Sequence, residues 1–305
     1  MTTSIRIGGY SPEDSSHSRA VAHFRDQVAH QLGEEVAVDV MWNILDEGRP
    51  APDLLNMVEA GELTLCYFST SYLGTRVPEL NVLEVPFLFD SLPAAHAALD
   101  GPLGDALTAA TESRTGLAVL GYWDNGFRHL TNRLRPVRTP EDCAGMSVRL
   151  QPNRYHEAMI ESWGGRAVPV ELKTGISLIA AGEVDAQENP LANTVAYGVD
   201  KVHRHVTMTG HLYGARGLYA DPAQVDIWPK DVRAVVFEAV RSAIRFQRSL
   251  AAATELELRD RLESEGVQFE DLTVAERSLF GEAAAEVEAR AHEELDARLF
   301  SLLGR

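Results

Sequence analysis

The strongest constraint on this chain is the alternation, along its N-terminal half, of short β-type runs with apolar residues at helical spacing. SIRIG (4–8) reads as a first strand, and Val21, Phe24, Val28 and Leu32 then recur at helical intervals up to Gly33. VAVDV (36–40) alternates as a second strand, LTLCYF (63–68) as a third, and LAVLGYW (117–123) is a fully apolar later one. Strand, helix, strand in this rhythm predicts an α/β chain with mainly parallel sheets flanked by helices, and a ligand beyond the carboxyl ends of the strands.

Length then argues for two lobes. The chain has 305 residues, 45% of them hydrophobic, and single cores stop growing near ~250–300 residues. The segment RPVRTPEDCAGMSVRLQPN then changes the character of the sequence. Thr139 before Pro140 starts a short helix and Gly145 ends it. MSVRLQ (146–151) follows as a strand, with Met146, Val148 and Leu150 on one face and Ser147, Arg149 and Gln151 on the other. The C-terminal third is helical. A stripe through Val232, Val235, Val236, Ala239, Val240, Ala243 and Leu250 is long enough for a helix bridging both lobes. Thr273 and Glu276 form a capping box for a last helix carrying Leu279, Phe280, Ala283, Val287, Ala291 and Leu295. The expected division is 1–125 plus 212–254 for the first lobe and 126–211 plus 255–305 for the second, with a ligand cleft between them.

Charge and motifs exclude several functions. A net charge of -17 opposes nucleic acid and anionic membrane surfaces, which require a basic footprint. Cys66 and Cys143 lie far apart with no metal-type spacing. No GxGxxG, P-loop, GxSxG or HExxH occurs, so nothing points to a cofactor. His203, His205 and His211 lack a further ligand at familiar spacing, so no metal site is expected. MTTSIRIGGYS has no apolar core of a leader, and no stretch reaches the ~18–20 apolar residues of a membrane span. The segment given thus carries no export signal of its own.

Two arginines could hold an anion. Arg149 stands at the polar face of its strand, where a guanidinium takes a carboxylate through two charge-assisted hydrogen bonds; spacing alone favours the alternative, a structural ion pair with one of the many acids. Arg128, in WDNGFRHLTN, has the same two readings. GEVDAQENPLANT (182–194) crowds Asp185, Gln187, Glu188 and Asn189 before Pro190. Asn189 either caps the helix opened by that proline or aims its amide at a ligand.

WDNGFRHLTNRLRPVRTPEDCAGMSVRLQ (123–151), AAGEVDAQENP (180–190), VHRHVTMTGHLY (202–213) and VPELNVLEVPFLFDS (77–91) closely resemble the solute-binding proteins of tripartite ATP-independent periplasmic (TRAP) transporters, in the dicarboxylate-binding (DctP-like) branch. The resemblance implies a monomeric, two-lobed periplasmic-binding-protein fold closing on a small organic acid and serving membrane transporter subunits. It assigns the main carboxylate contact to Arg149, with Arg128 and Asn189 beside it, and the pocket lining to Tyr10, His17, Ser69, Leu172 and Tyr213. The family motif reads DGQENP, so Ala186 departs by one methyl group. Location would be periplasmic for a mature chain, and cytoplasmic if Met1 is the native start. The second case favours an isomerase, lyase or hydratase on the same scaffold, with Asp124, Glu188, His17 or Tyr213 moving a proton.

Overall fold

The computed structural model describes residues 2–303. Its strands are β1 (Thr3–Gly8), β2 (Val36–Met41), β3 (Leu65–Ser69), β4 (Ala118–Asn132), β5 (Ser147–Leu150), β6 (Arg166–Pro169), β7 (Ala186–Asn189), β8 (His205–Ala220) and β9 (Gln268–Glu270). The chain forms two compact units. The first holds residues up to Thr70 with Leu107–Asp124 and Ala215–Ala253; the second holds Ser71–Ala106, Asn125–Gly214 and Thr254–Arg305.

In the first unit β1 pairs in parallel with both β2 and β3, and β3 runs antiparallel to the end of β8 from Arg216 to Ala220. The alternation of β1 buries Ile5 and Ile7. Over them packs the helix Ser16–Leu32, whose buried Ala20, Val21, Phe24 and Val28 follow the helical spacing read from the sequence. Ser15 starts that helix by accepting a hydrogen bond from the Ser18 N–H.

In the second unit β5 pairs in parallel with β6 and with β7, β7 is antiparallel to β4, and β9 is parallel to β8. Met146, Val148 and Leu150 pack with Met159, Ile160 and Trp163 of the segment around the helix Arg154–Ser162, and with Phe280 and Ala284. Every residue of β5 is buried, the polar-face Ser147 and Arg149 included. Both faces of that strand are therefore covered. The 35-residue helix Lys230–Ser264 contributes its first part to one unit and residues from Thr254 to the other.

Two expectations are corrected. The first lobe was expected to run unbroken to residue 125, but 71–106 belong to the second unit. Long-range polar contacts hold them there: Glu84 Oε2 lies 2.7 Å from His156 Nε2, Asn153 Nδ2 donates to Asn81 Oδ1 at 2.9 Å, and the Phe87 N–H donates to His211 O at 2.7 Å. The last helix is also broken. The Thr273 and Glu276 capping box is present, but Val274–Ala283 gives way at Ala284 to a separate helix, Ala285–Glu294. Leu279, expected inside, is 41% exposed.

Trp163 ties these pieces together, donating from Nε1 to Phe280 O at 3.1 Å and meeting the Phe280 and His211 rings edge-on. Trp163→Ala should cost about 3–5 kcal/mol, the usual loss for a large buried aromatic, read as a lowered denaturant midpoint. Trp163→Phe, which removes the hydrogen bond but keeps most of the volume, should cost clearly less.

Candidate functional site

The second unit buries Arg128 on β4 and Arg149 on β5, each about 1% exposed. Their surroundings differ. Arg128 is locked to Glu188 of β7: its Nε donates to Oε2, and its Nη2 donates to Oε1 at 2.7 Å and to the Glu188 carbonyl at 2.8 Å. The strand register makes this a diagonal pair, since Leu130 stands opposite Glu188 and His129 opposite Asn189. Burial alone would raise the Glu188 carboxyl, but the Arg128 charge, the nearby His211 ring and the bonds from Arg128 hold it well below the usual carboxylate range. Glu188 is thus a fixed anion. His211, with Nε2 3.5 Å from Glu188 Oε2, is pushed down by burial in spite of that carboxylate.

Arg149 has no carboxylate within ion-pair distance among the described residues. Its Nη2 donates to Val170 O at 3.0 Å, and its buried Nε has no hydrogen-bond partner among them. Tyr72 hydrogen-bonds it and lies in the field of Arg128 as well; burial raises the Tyr72 phenol and the Arg149 charge offsets part of that shift. The helix Leu172–Ala180 backs the guanidinium stem through Gly175, where a Cβ would come within 2.9 Å of Arg149 Cδ and Cγ. Glu171 caps this helix by accepting from the Lys173 and Thr174 N–H groups. Neither Tyr72 nor Gly175 was signalled by the sequence, because the first precedes no motif and the second acts only through the space it leaves.

Asn189 settles neither of its two readings in the form expected. The N-cap position of the helix Leu191–Ala196 is Pro190, with no side-chain cap, and Asn189 ends β7. Its Oδ1 accepts from Asn193 Nδ2 at 3.0 Å, and that same amide donates to Asn125 Oδ1 at 3.0 Å. Leu172 begins its helix and is buried, and Tyr213 is buried edge-on between the Phe89 and Phe127 rings.

Tyr10, His17 and Ser69 lie in the first unit, all buried. Arg216, a buried arginine that no motif announced, stands opposite Ser69 in the strand register, and its guanidinium lies 4.4 Å from the centre of the Tyr10 ring. His17 donates from Nε2 to the Asp124 carbonyl at 2.9 Å, and burial together with Arg216 pushes it well below its ordinary value. Gln247 grips the backbone of the same residue from the long helix, accepting from the Asp124 N–H and donating to the Asp124 carbonyl, each at 2.9 Å. The histidines weighed as metal ligands are separated: His203, preceding β8, meets Thr131 through Nδ1 at 3.0 Å, and no three His, Cys, Asp or Glu side chains converge among the described residues.

Two outcomes follow from this geometry. Gly175→Ala should displace the Arg149 stem and lower the melting temperature while the protein still unfolds cooperatively; thermal denaturation of the variant measures it. Glu255, 3.7 Å from His129 Nε2, is pushed up to about 7 by burial, against hydrogen bonds from the Leu191 and Ala192 backbone. Its folded value lies above the ~4.3 of an unfolded glutamate, so the native state holds the extra proton between those limits and stability falls as pH rises toward 7. Glu255→Gln should therefore gain melting temperature relative to the parent as pH is raised from 5 to 8.

Residues 7–294 match the model of the DctP family, described as bacterial extracellular solute-binding protein, family 7. A solute-binding protein of Verminephrobacter eiseniae is 30% identical over 248 residues, covering 81% of this chain and 73% of the relative. The 2,3-diketo-L-gulonate-binding periplasmic protein YiaO of Escherichia coli is 26% identical over 280 residues, 92% of this chain and 84% of that one. A crystal structure of a TRAP periplasmic solute-binding protein from Sulfitobacter sp. NAS-14.1, with bound β-D-galacturonate, superimposes with a TM-score of 0.89 at 28% identity over 98% of both chains. With the family model spanning nearly the whole sequence and the fold matched end to end, the chain belongs to the DctP family of bacterial extracellular solute-binding proteins.

Proposed function

We propose that this chain is the solute receptor of a TRAP transporter and that Arg149 binds the carboxylate of a small organic acid. The observation carrying the proposal is a buried guanidinium without a carboxylate partner among the described residues. An uncompensated buried charge costs several kcal/mol, and a ligand carboxylate relieves that cost while gaining two charge-assisted hydrogen bonds. Arg128 is already neutralised by Glu188, so it contributes direction through its buried Nη1, which has no partner among the described residues. Asn189, Leu172 and Tyr213 complete the contacts in the same unit. The Sulfitobacter relative with bound galacturonate and the diketogulonate-binding relative support an acid carrying hydroxyl groups. As a receptor the protein would act in the periplasm and deliver its ligand to membrane subunits.

An enzymatic role for the same site has less support. Glu188 is held ionised by Arg128, and burial together with the Arg216 charge holds the His17 ring in its neutral form. A residue held in one protonation state is a poor general acid or base at neutral pH.

A panel of organic acids tested by thermal denaturation should contain at least one that raises the melting temperature, with about 2.7 kcal/mol of stabilisation at 100-fold excess over Kd. Arg149→Ala should abolish that shift without loss of cooperative unfolding. A panel without any shift, or an Arg149→Ala protein that binds as the parent does, would sink the proposal; chemical conversion of a bound acid would favour the enzyme.

A further inference from the structure

Beyond the arginines, the second unit buries an acid and base pair that the binding reading does not use. Glu84 closes the 3-10 segment Pro78–Glu84 and His156 stands on the helix Arg154–Ser162; Glu84 Oε2 and His156 Nε2 are 2.7 Å apart, both residues fully or almost fully buried. The other carboxylate oxygen, Glu84 Oε1, has no hydrogen-bond partner among the described residues. Neither do Arg128 Nη1, His211 Nε2 or, on the Arg149 face of β5, Gln151 Oε1. The Phe87 N–H, three residues past Glu84, donates to the His211 carbonyl at 2.7 Å, and His211 Nε2 is 3.5 Å from the carboxylate that holds Arg128. The Glu84 turn is thereby fastened to the strand beside the Arg128 pair. In agreement, the negative charge of Glu84 is among those that stabilise the Arg128 cation.

Buried acceptors left without donors are costly unless something donates to them. A carboxylate oxygen can take a hydroxyl proton, and it repels another carboxylate. Charge points the same way: Arg128 and Glu188 neutralise each other, so Arg149 is the cation left for one ligand carboxylate. Resting on the reading that Arg149 binds that carboxylate, we propose that Glu84, held by His156, is a specificity-determining residue whose Oε1 accepts a ligand hydroxyl, so that the site selects hydroxylated monocarboxylates over dicarboxylates. Gln151 Oε1 supplies a further acceptor. Selection of this kind works by repulsion as well as attraction, since a second carboxylate would have to approach Glu84.

Calorimetry with D-erythronate, D-galacturonate, butyrate and succinate tests this on the parent protein and on Glu84→Gln. The parent should bind at least one of the two hydroxy acids ten times or more tighter than succinate and butyrate. Glu84→Gln should weaken that hydroxy acid about 10- to 100-fold and leave succinate unweakened or tighter, collapsing the ratio. A ratio unchanged within twofold in the folded variant overturns the role of Glu84, as does a parent that prefers succinate. If Glu84→Gln does not fold, Glu84→Asp, which keeps the charge but withdraws the oxygen, must lower the hydroxy-acid preference at least fivefold, and an undiminished preference overturns the proposal. Absence of binding by all four acids would instead count against carboxylate binding itself, and a parent that binds butyrate as well as either hydroxy acid overturns only the hydroxyl reading.

Discussion

The buried ion pair of Arg128 and Glu188 is the interaction on which the second unit depends. It joins β4 to β7 through three hydrogen bonds from one guanidinium, with both side chains almost fully buried. Removing either partner would leave the other as a bare buried ion, a loss of about 3–5 kcal/mol. The pair also decides the chemistry nearby. It consumes one positive charge, so Arg149 is the buried arginine of β5 without a carboxylate within ion-pair distance among the described residues, and it fixes Glu188 as a carboxylate.

Around that pair the supports are mostly shapes and backbone groups. Val170 O takes one Arg149 proton, Gly175 leaves room for the stem, and Tyr72 hydrogen-bonds the guanidinium. A helix start beside the site is organised by Glu171, and the Asn193 amide spans Asn125 and Asn189. A guanidinium fixed in this way loses little freedom when a ligand arrives, which is the advantage of a rigid site over a flexible one.

Much of the fold was legible in the sequence because periodicity reports local burial. Ile5 and Ile7, or Met146, Val148 and Leu150, announce both a strand and its inward face. The allegiance of 71–106 was not legible, because Glu84 and Asn81 join the second unit through side chains of His156 and Asn153, each 72 residues away in sequence. The break at Ala284 was hidden for the opposite reason: alanine favours helix, and the tertiary packing overrides it. At the site, residue type and strand face marked Arg149 as a candidate, but whether a carboxylate would meet it depended on neighbours distant in sequence, such as Tyr72 and Val170. Family resemblance named the arginines; only coordinates separated the paired one from the unpaired one.

Gln247 and His17 hold residue 124 by its backbone N–H and carbonyl. Such a grip is blind to what the side chain is. These three bonds would survive a change of side chain at 124, whereas a change at 247 would remove two of them at once. For this joint the side chain that is specified is the glutamine 123 positions later in the long helix.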